Sequence, residues 1–162
     1  MDPATLRPAT PADAAAVADL WHRGWHDAHA GHVPDGLTAA RTLPAFGKRS
    51  AAAVGVTTVG VVDGRVAGFV MVVGDEVEQV FVDAAHRGTG LAGTLLDEAE
   101  RQVAGAGHEV AWLAVVSGNT RARRFYERRG WADEGDLPYQ VTAAGQTFIS
   151  PCRRYTKRVS AG

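Results

Sequence analysis

Residues 76–103 form the stretch that most constrains how this chain can fold. Residues 77–82 alternate in the manner of a β-strand, and residues 87–90 form a charged loop that contains two glycines. Apolar residues then recur at four-residue spacing, which predicts an amphipathic helix. These residues are Leu91, Leu95, Ala99 and Val103. The pattern therefore predicts a strand that leads through a glycine loop into a helix.

The segments around this stretch predict a mixed, mainly antiparallel sheet. Residues 54–62 and 65–73 flank Asp63-Gly64, a strong signal for a β-hairpin turn. The strand at residue 76 follows closely, so three consecutive strands form a meander. Residues 109–116 are mostly apolar and follow the helix, so we expect this strand to lie parallel to the strand at residues 77–82.

The remaining segments bring the prediction to about seven strands and about four helices. The first helix starts with Thr10 as N-cap and runs to about His29, and a poorer helix at residues 37–49 is interrupted near Pro44. A further helix runs from Asn119 to about residue 129. The other strands are residues 5–7, 131–142 and 146–157, with Pro151 at an edge or bulge. Residues 1–162 contain no linker or repeat, so a single domain is expected.

Composition limits the classes of function. The net charge of -1 gives no reason to expect a nucleic-acid or membrane partner. The single cysteine, Cys152, cannot form an internal disulfide, and the N-terminus has no charged-then-apolar leader. We therefore expect a soluble protein in a reducing, cytoplasmic environment.

The glycine loop at the helix start predicts an anion-binding site. The first backbone N–H groups of a helix have no intrahelical partner, and the helix dipole is positive there. Glycines at 88 and 90 let an anion approach the backbone, and Arg87 adds a positive charge. Residues 88–93 also match the G-x-G-x-x-G pattern of dinucleotide-binding folds. In those folds the glycines follow the strand directly and an acidic residue ends the next strand, and this chain has neither feature.

Two motifs in the right order resemble those of the GCN5-related N-acetyltransferase (GNAT) superfamily. Residues 87–92 (RGTGLA) fit the pattern [Q/R]-x-x-G-x-[G/A]. About thirty residues later, residues 119–131 (NTRARRFYERRGW) fit N-x-x-A-x-x-F-Y-x-x-x-G-[FW]. The resemblance covers nearly the whole chain and implies the GNAT-like fold, with the parallel strands around residues 76–83 and 109–116 splayed apart.

The resemblance implies acetyl-CoA as co-substrate and no metal. Its diphosphate is expected on the backbone of Arg87, Gly88, Thr89, Gly90, Leu91 and Ala92. The pantetheine arm is expected along Val80, Phe81 and Val82, with Asn119, Ala122, Phe125 and Tyr126 as further cofactor contacts. Asn119 is equally suited to a purely structural role as N-cap of its helix.

The resemblance also implies a catalytic acid, and the residues suggest a base. Tyr126 matches the usual general acid, which would protonate the departing thiolate. The attacking amine must be neutral, so a base or water relay is needed. Glu78, and after it Glu76, are the candidates, because like charges close together raise one pKa when partly buried.

The acceptor is expected to be a small-molecule amine that contacts Trp25, His26, His29, Glu78 and Tyr139. A protein N-terminus or lysine is the alternative acceptor, and a non-catalytic acyl-CoA-binding regulatory module is the alternative class. The resemblance leaves a homodimer open. The four histidines of the first helix and the following loop show metal-like spacing without a completing carboxylate or cysteine, and we predict no metal site. They are His22, His26, His29 and His32.

Overall fold

The computed structural model describes residues 4–160 and contains a seven-stranded sheet flanked by five α-helices within that range. The strands are β1 (Thr5–Pro8), β2 (Thr57–Val62), β3 (Arg65–Val73), β4 (Glu76–Val82), β5 (Val110–Val116), β6 (Ala132–Ala143) and β7 (Gln146–Arg158). The helices are α1 (Ala14–His29), α2 (Asp35–Ala40), α3 (Leu43–Ala52), α4 (Leu91–Gly105) and α5 (Thr120–Arg128).

The strand order confirms the predicted mixed sheet. It is β1-β2-β3-β4-β5-β7-β6, and β4 and β5 are the parallel pair among otherwise antiparallel neighbours. Asp63 and Gly64 both have positive φ at the β2–β3 turn, as a tight hairpin of this sequence requires. The predicted meander therefore leads into β4 and the glycine loop.

Several predicted boundaries were wrong by a few residues. β2 begins at Thr57, because residues 54–56 form a 3-10 turn after α3. The segment predicted as one interrupted helix at 37–49 is two helices, which break at residues 41–42. Pro44 lies in the first turn of α3, where its missing N–H group costs no hydrogen bond. Thr42 caps α3 by accepting a hydrogen bond from the Ala45 N–H group at 3.2 Å.

Pro151 lies in an interior strand, which corrects the prediction of an edge or bulge. β7 runs between β5 and β6, and Pro151 is opposite Pro138 of β6. The Pro151 carbonyl accepts a hydrogen bond from Ser117, just beyond the last β5–β7 pair. The proline therefore sits where the β5 ladder ends, and its missing N–H group interrupts no pairing within β5.

Two apolar clusters cover the two faces of the sheet. On one face α4 packs through Leu95 and Leu96, and Phe125 of α5 packs against the same cluster. On the other face α1, α2 and α3 pack through Trp21 and Phe46, whose ring centroids are 5.2 Å apart. The candidate site lies at β4 and β5, where residues of both clusters line one cleft.

Among the helices of residues 4–160, none combines the length and the apolar composition of a membrane span.

Candidate active site

The parallel strands β4 and β5 pair at one end only and then separate. Their register contains the single pair Glu76 and Trp112. That end is held by Asp75, whose backbone carbonyl and side-chain carboxylate accept hydrogen bonds from the Trp112 backbone N–H at 3.0 Å and indole N–H at 3.1 Å. The gap beyond this point leaves backbone groups of both strands unpaired with each other, as expected for splayed strands.

A β-bulge in β4 accompanies this separation. Met71 of β3 pairs with Gln79, whereas Val72 pairs with Val77, so Glu78 is an extra residue in the ladder. A bulge bends its strand and redirects a side chain. The regular alternation expected for residues 77–82 is therefore wrong at Glu78.

A cleft of about 960 Å³ occupies the gap and continues toward α1, α2 and α3. One part is lined by residues of the separated strands and of α5, and the other by acidic, basic and aromatic side chains from α1, α3, the start of β4 and β6. The strand side includes Val80, Phe81, Val115, Val116, Asn119, Ala122 and Tyr126. The other side includes Trp25, His29, Arg41, Arg49, Glu76, Glu78 and Tyr139. The cleft can therefore hold an extended ligand that meets a second molecule.

The glycine loop follows β4 after residues 83–86, which include a 3-10 turn at Ala84–His86, and it leads into the N-terminus of α4. Gly88 and Gly90 have φ values of 79° and 87°, a left-handed conformation that side chains disfavour, and Gly90 is the N-cap of α4. Arg87 and Thr89 donate their backbone N–H groups to Ala84 and His86 over long distances of 3.3 and 3.4 Å. The first-turn N–H groups of α4 point outward along the helix axis beside them.

Two features of this loop were not predicted. The Arg87 guanidinium pairs with Asp27 of α1 at 2.8 Å, and Arg121 of α5 pairs with the same carboxylate at 3.2 Å. Gly93 of α4 lies against Arg129, and a Cβ at this position would lie 2.7 Å from the Arg129 guanidinium. The third glycine of the G-x-G-x-x-G pattern therefore contacts a side chain of this protein.

Asn119 at the N-cap of α5 and Tyr126 in its last turn both line the strand side of the cleft. Asn119 Oδ1 accepts the Ala122 N–H at 3.2 Å, so the predicted cap exists, and the residue also lines the cleft. The Tyr126 ring packs against Phe125, with centroids 5.4 Å apart, and against Trp131 at 6.2 Å. Burial raises the pKa of Tyr126 to about 12, so this hydroxyl keeps its proton at neutral pH.

Glu76 and Glu78 lie on the other side of the cleft in different environments. Glu76 is half-buried and accepts a hydrogen bond from the Tyr139 hydroxyl at 3.2 Å. Burial, and then the neighbouring charge of Glu78, raise the pKa of Glu76, while the Tyr139 hydrogen bond opposes that rise. Glu78 is exposed at the bulge. Glu76 therefore has the perturbed environment expected of a base.

The α1 histidines have separate roles in packing. His26 donates its Nε2–H to the Arg41 carbonyl at 2.6 Å, and His29 donates its Nδ1–H to the Trp25 carbonyl at 2.9 Å. His29 stacks on Trp25 and lines the cleft, and burial lowers its pKa to about 4. His32, in the loop after α1, lies over Gly118.

Within residues 4–160, no group of three or more His, Cys, Asp and Glu residues could hold a metal ion.

Comparison with known proteins identifies the family. The model of the acetyltransferase (GNAT) family matches residues 18–131, and the chain therefore belongs to that family. Uncharacterised N-acetyltransferases of Mycobacterium tuberculosis and Mycobacterium bovis are 31% identical over 86 residues. That alignment covers 50% of this chain and 55% of each relative, so the chain spans about half the length of these curated relatives.

Solved structures share the fold over nearly their full length. A GCN5-related N-acetyltransferase from Rhodopseudomonas palustris has a TM-score of 0.76 at 23% identity, covering 98% of this chain and 97% of the other. The PaiA N-acetyltransferase of Thermoplasma acidophilum, solved in complex with coenzyme A, has a TM-score of 0.71 at 16% identity, covering 98% and 99%. At these identities the similarity shows the fold alone.

Proposed function

We propose that this protein transfers the acetyl group of acetyl-CoA to the primary amine of a small molecule. One observation carries the proposal: the cleft between the splayed strands has Tyr126 on one side and the Glu76–Tyr139 pair on the other. A proton donor and a proton acceptor thus face the same space. Membership of the GNAT family supports this assignment.

The donor would bind along the gap between β4 and β5. The loop at residues 87–92 offers backbone N–H groups and two left-handed glycines to a diphosphate. Val80, Phe81 and Val82 offer backbone groups to the pantetheine arm, in the manner of an added strand. The coenzyme A found in the structure of the Thermoplasma acidophilum relative supports a CoA donor for this fold.

Direct transfer removes two protons from the acceptor nitrogen and adds one to sulfur. Glu76, directly or through water and Glu78, would take the first proton from the ammonium so that the neutral amine can attack the thioester carbon. Collapse of the adduct breaks the carbon–sulfur bond, Tyr126 would give its proton to the departing thiolate, and the second proton of the adduct nitrogen would return to the Tyr126 phenolate through water. The raised pKa of Tyr126 keeps it protonated for this step.

A covalent acetyl-enzyme on Cys152 has little support. The thiol is buried, and that burial raises its pKa, so it remains in the thiol form at neutral pH. Its polar neighbour is the Ser150 hydroxyl, with oxygen and sulfur 3.5 Å apart, and a hydroxyl is no base at this pH. Direct attack by the amine is therefore the favoured route.

An assay with different acceptors distinguishes a small-molecule amine from a protein as the acceptor. Purified protein is mixed with acetyl-CoA and a panel of small amines, N-terminal peptides and lysine peptides, and released thiol is measured against a reaction without acceptor. Thiol release that depends on small amines is the expected result. Release that depends only on peptides would point to a protein acetyltransferase. Tight acetyl-CoA binding without acceptor-dependent release would point to a non-catalytic sensor.

A further inference from the structure

Two arginines that the sequence patterns did not indicate, Arg41 and Arg49, line the cleft. They lie on the side that also contains Glu76 and Tyr139, where the acceptor is expected. Arg41 follows α2 and is 7% exposed, although it carries a charge. Its backbone carbonyl accepts the His26 hydrogen bond, which fixes this residue against α1. Its guanidinium lies 5.9 Å from the Trp25 ring centroid, and its Nε is buried without a hydrogen-bond partner.

Arg49, near the end of α3, is held mainly by aromatic rings. Its guanidinium lies 4.2 Å from the Trp21 ring centroid and 5.3 Å from that of Phe46. Its Nη1 is buried and makes no hydrogen bond. Stacking of this kind orients a planar guanidinium while leaving its N–H groups free to bind an anion.

The two cations repel each other and have no ion-pair partner within residues 4–160. Burial, and then the charge of Arg41, lower the pKa of Arg49 to about 10, so it stays protonated at neutral pH. Burial alone lowers the pKa of Arg41. Glu78 attracts Arg49 without forming a salt bridge. Two partly desolvated charges without a paired anion are costly, and a bound anion would remove that cost.

We propose that Arg41 and Arg49 bind a carboxylate of the acceptor, so that the acceptor is an amino-acid-like primary amine. This inference rests on the proposed function. The cleft then matches a zwitterion, with the amine toward Glu76 and the carboxylate toward the two guanidinium groups.

The test compares matched acceptors that differ only in the anionic group. Each amino acid is assayed with acetyl-CoA beside its carboxamide, its decarboxylated amine, and phosphoethanolamine. We expect kcat/KM for the best amino acid to exceed that of its carboxamide by at least about 10-fold, as for the loss of a charged hydrogen bond. Equal rates, or a preference for phosphoethanolamine, would overturn the proposal.

Variants connect the preference to the two arginines. Arg41→Gln and Arg49→Gln should each lower kcat/KM for the amino acid by about 10- to 100-fold, and change that for the carboxamide by less than about twofold. Arg65→Gln is the matched control, because Arg65 is exposed on the β2–β3 hairpin, away from the cleft. An unchanged amino-acid rate in both cleft variants would exclude the subsite.

A binding measurement separates this proposal from the proposed function. Trp21 and Trp25 lie beside the two guanidinium groups, so a bound carboxylate should change the tryptophan fluorescence of the wild-type protein. Amino acids that bind in this way without being acetylated would refute the transferase and keep the subsite. Acetylation of amines without any carboxylate effect would keep the transferase and refute the subsite. Acetyl-CoA affinity and thermal unfolding report whether each variant is folded.

Discussion

Replacement of Tyr126 by phenylalanine tests the proposed acid most directly. The ring of Tyr126 is held by Phe125, Trp131 and Tyr155, with centroids 5.4, 6.2 and 6.2 Å away, and phenylalanine keeps these contacts. Tyr126 also lines the cleft in which the proposed thiolate leaving group would lie. We therefore expect Tyr126→Phe to fold with nearly wild-type stability.

The expected effect is on the chemical step. General acid catalysis typically raises the rate of a reaction by about 100- to 10,000-fold. The raised pKa of Tyr126 keeps its hydroxyl protonated at neutral pH in the wild-type protein. We expect kcat to fall at least about 100-fold, which corresponds to about 2.7 kcal/mol of transition-state stabilisation. The dissociation constant of acetyl-CoA should change by less than about twofold, because the phenol is expected to interact with the developing thiolate.

Tyr155→Phe is the matched control, with the opposite pattern. The Tyr155 hydroxyl donates to Glu127 at 2.5 Å and accepts from Arg123 at 3.1 Å inside the protein. Its loss should lower the free energy of unfolding by about 1 kcal/mol and leave kcat of the folded enzyme unchanged. Thiol release gives kcat, calorimetric titration gives the acetyl-CoA affinity, and thermal unfolding gives stability. A kcat for Tyr126→Phe within about threefold of wild type would refute the acid role.

Three other changes test the glycine loop, the proposed base and the close contact between Gly118 and His32. Gly90→Val should raise the acetyl-CoA dissociation constant at least about 10-fold, because a β-branched residue disfavours the φ of 87° and its side chain would obstruct the proposed diphosphate site. Tyr139→Phe removes a hydrogen bond that lowers the pKa of Glu76, so that pKa should rise and the acid limb of the kcat profile should move to higher pH. Gly118→Ala should destabilise the protein by about 1 kcal/mol, because its Cβ would lie 2.2 Å from His32 Nδ1, and His32→Ala should restore the loss.

A specific experimental result would contradict each of these three expectations. Gly145→Val places valine at a positive φ of 74° in the β6–β7 turn, so an equal loss of acetyl-CoA affinity there would show a general effect of strain. An acid limb that stays in place in Tyr139→Phe would remove Glu76 as the titrating base. A double variant of Gly118 and His32 no more stable than the single glycine variant would show that the close contact is not the cause.

The element types and their order could be predicted from local patterns. The Asp63-Gly64 turn and the four-residue spacing in α4 each determine a structure through contacts between near neighbours in the chain. The errors also have local causes. Proline in a helical segment predicts an interruption, but it is equally favourable in the first turn of a helix. At Pro44 only the capping role of Thr42 distinguishes the two positions.

The sequence by itself determined the glycine loop, the strand that precedes it and the cap of α5, because glycine backbone freedom, periodicity and capping act within a few residues. Only the tertiary structure decided that Glu76 accepts a hydrogen bond from Tyr139 and that Glu78 lies in a bulge. It also placed Arg41 and Arg49 in the same cleft as the two glutamates. Side-chain charge is visible in a sequence, but desolvation and missing partners depend on which distant segments fold over it. Glu76 and Tyr139 are 63 residues apart, and their environment exists only once β4, β5 and β6 have joined one sheet.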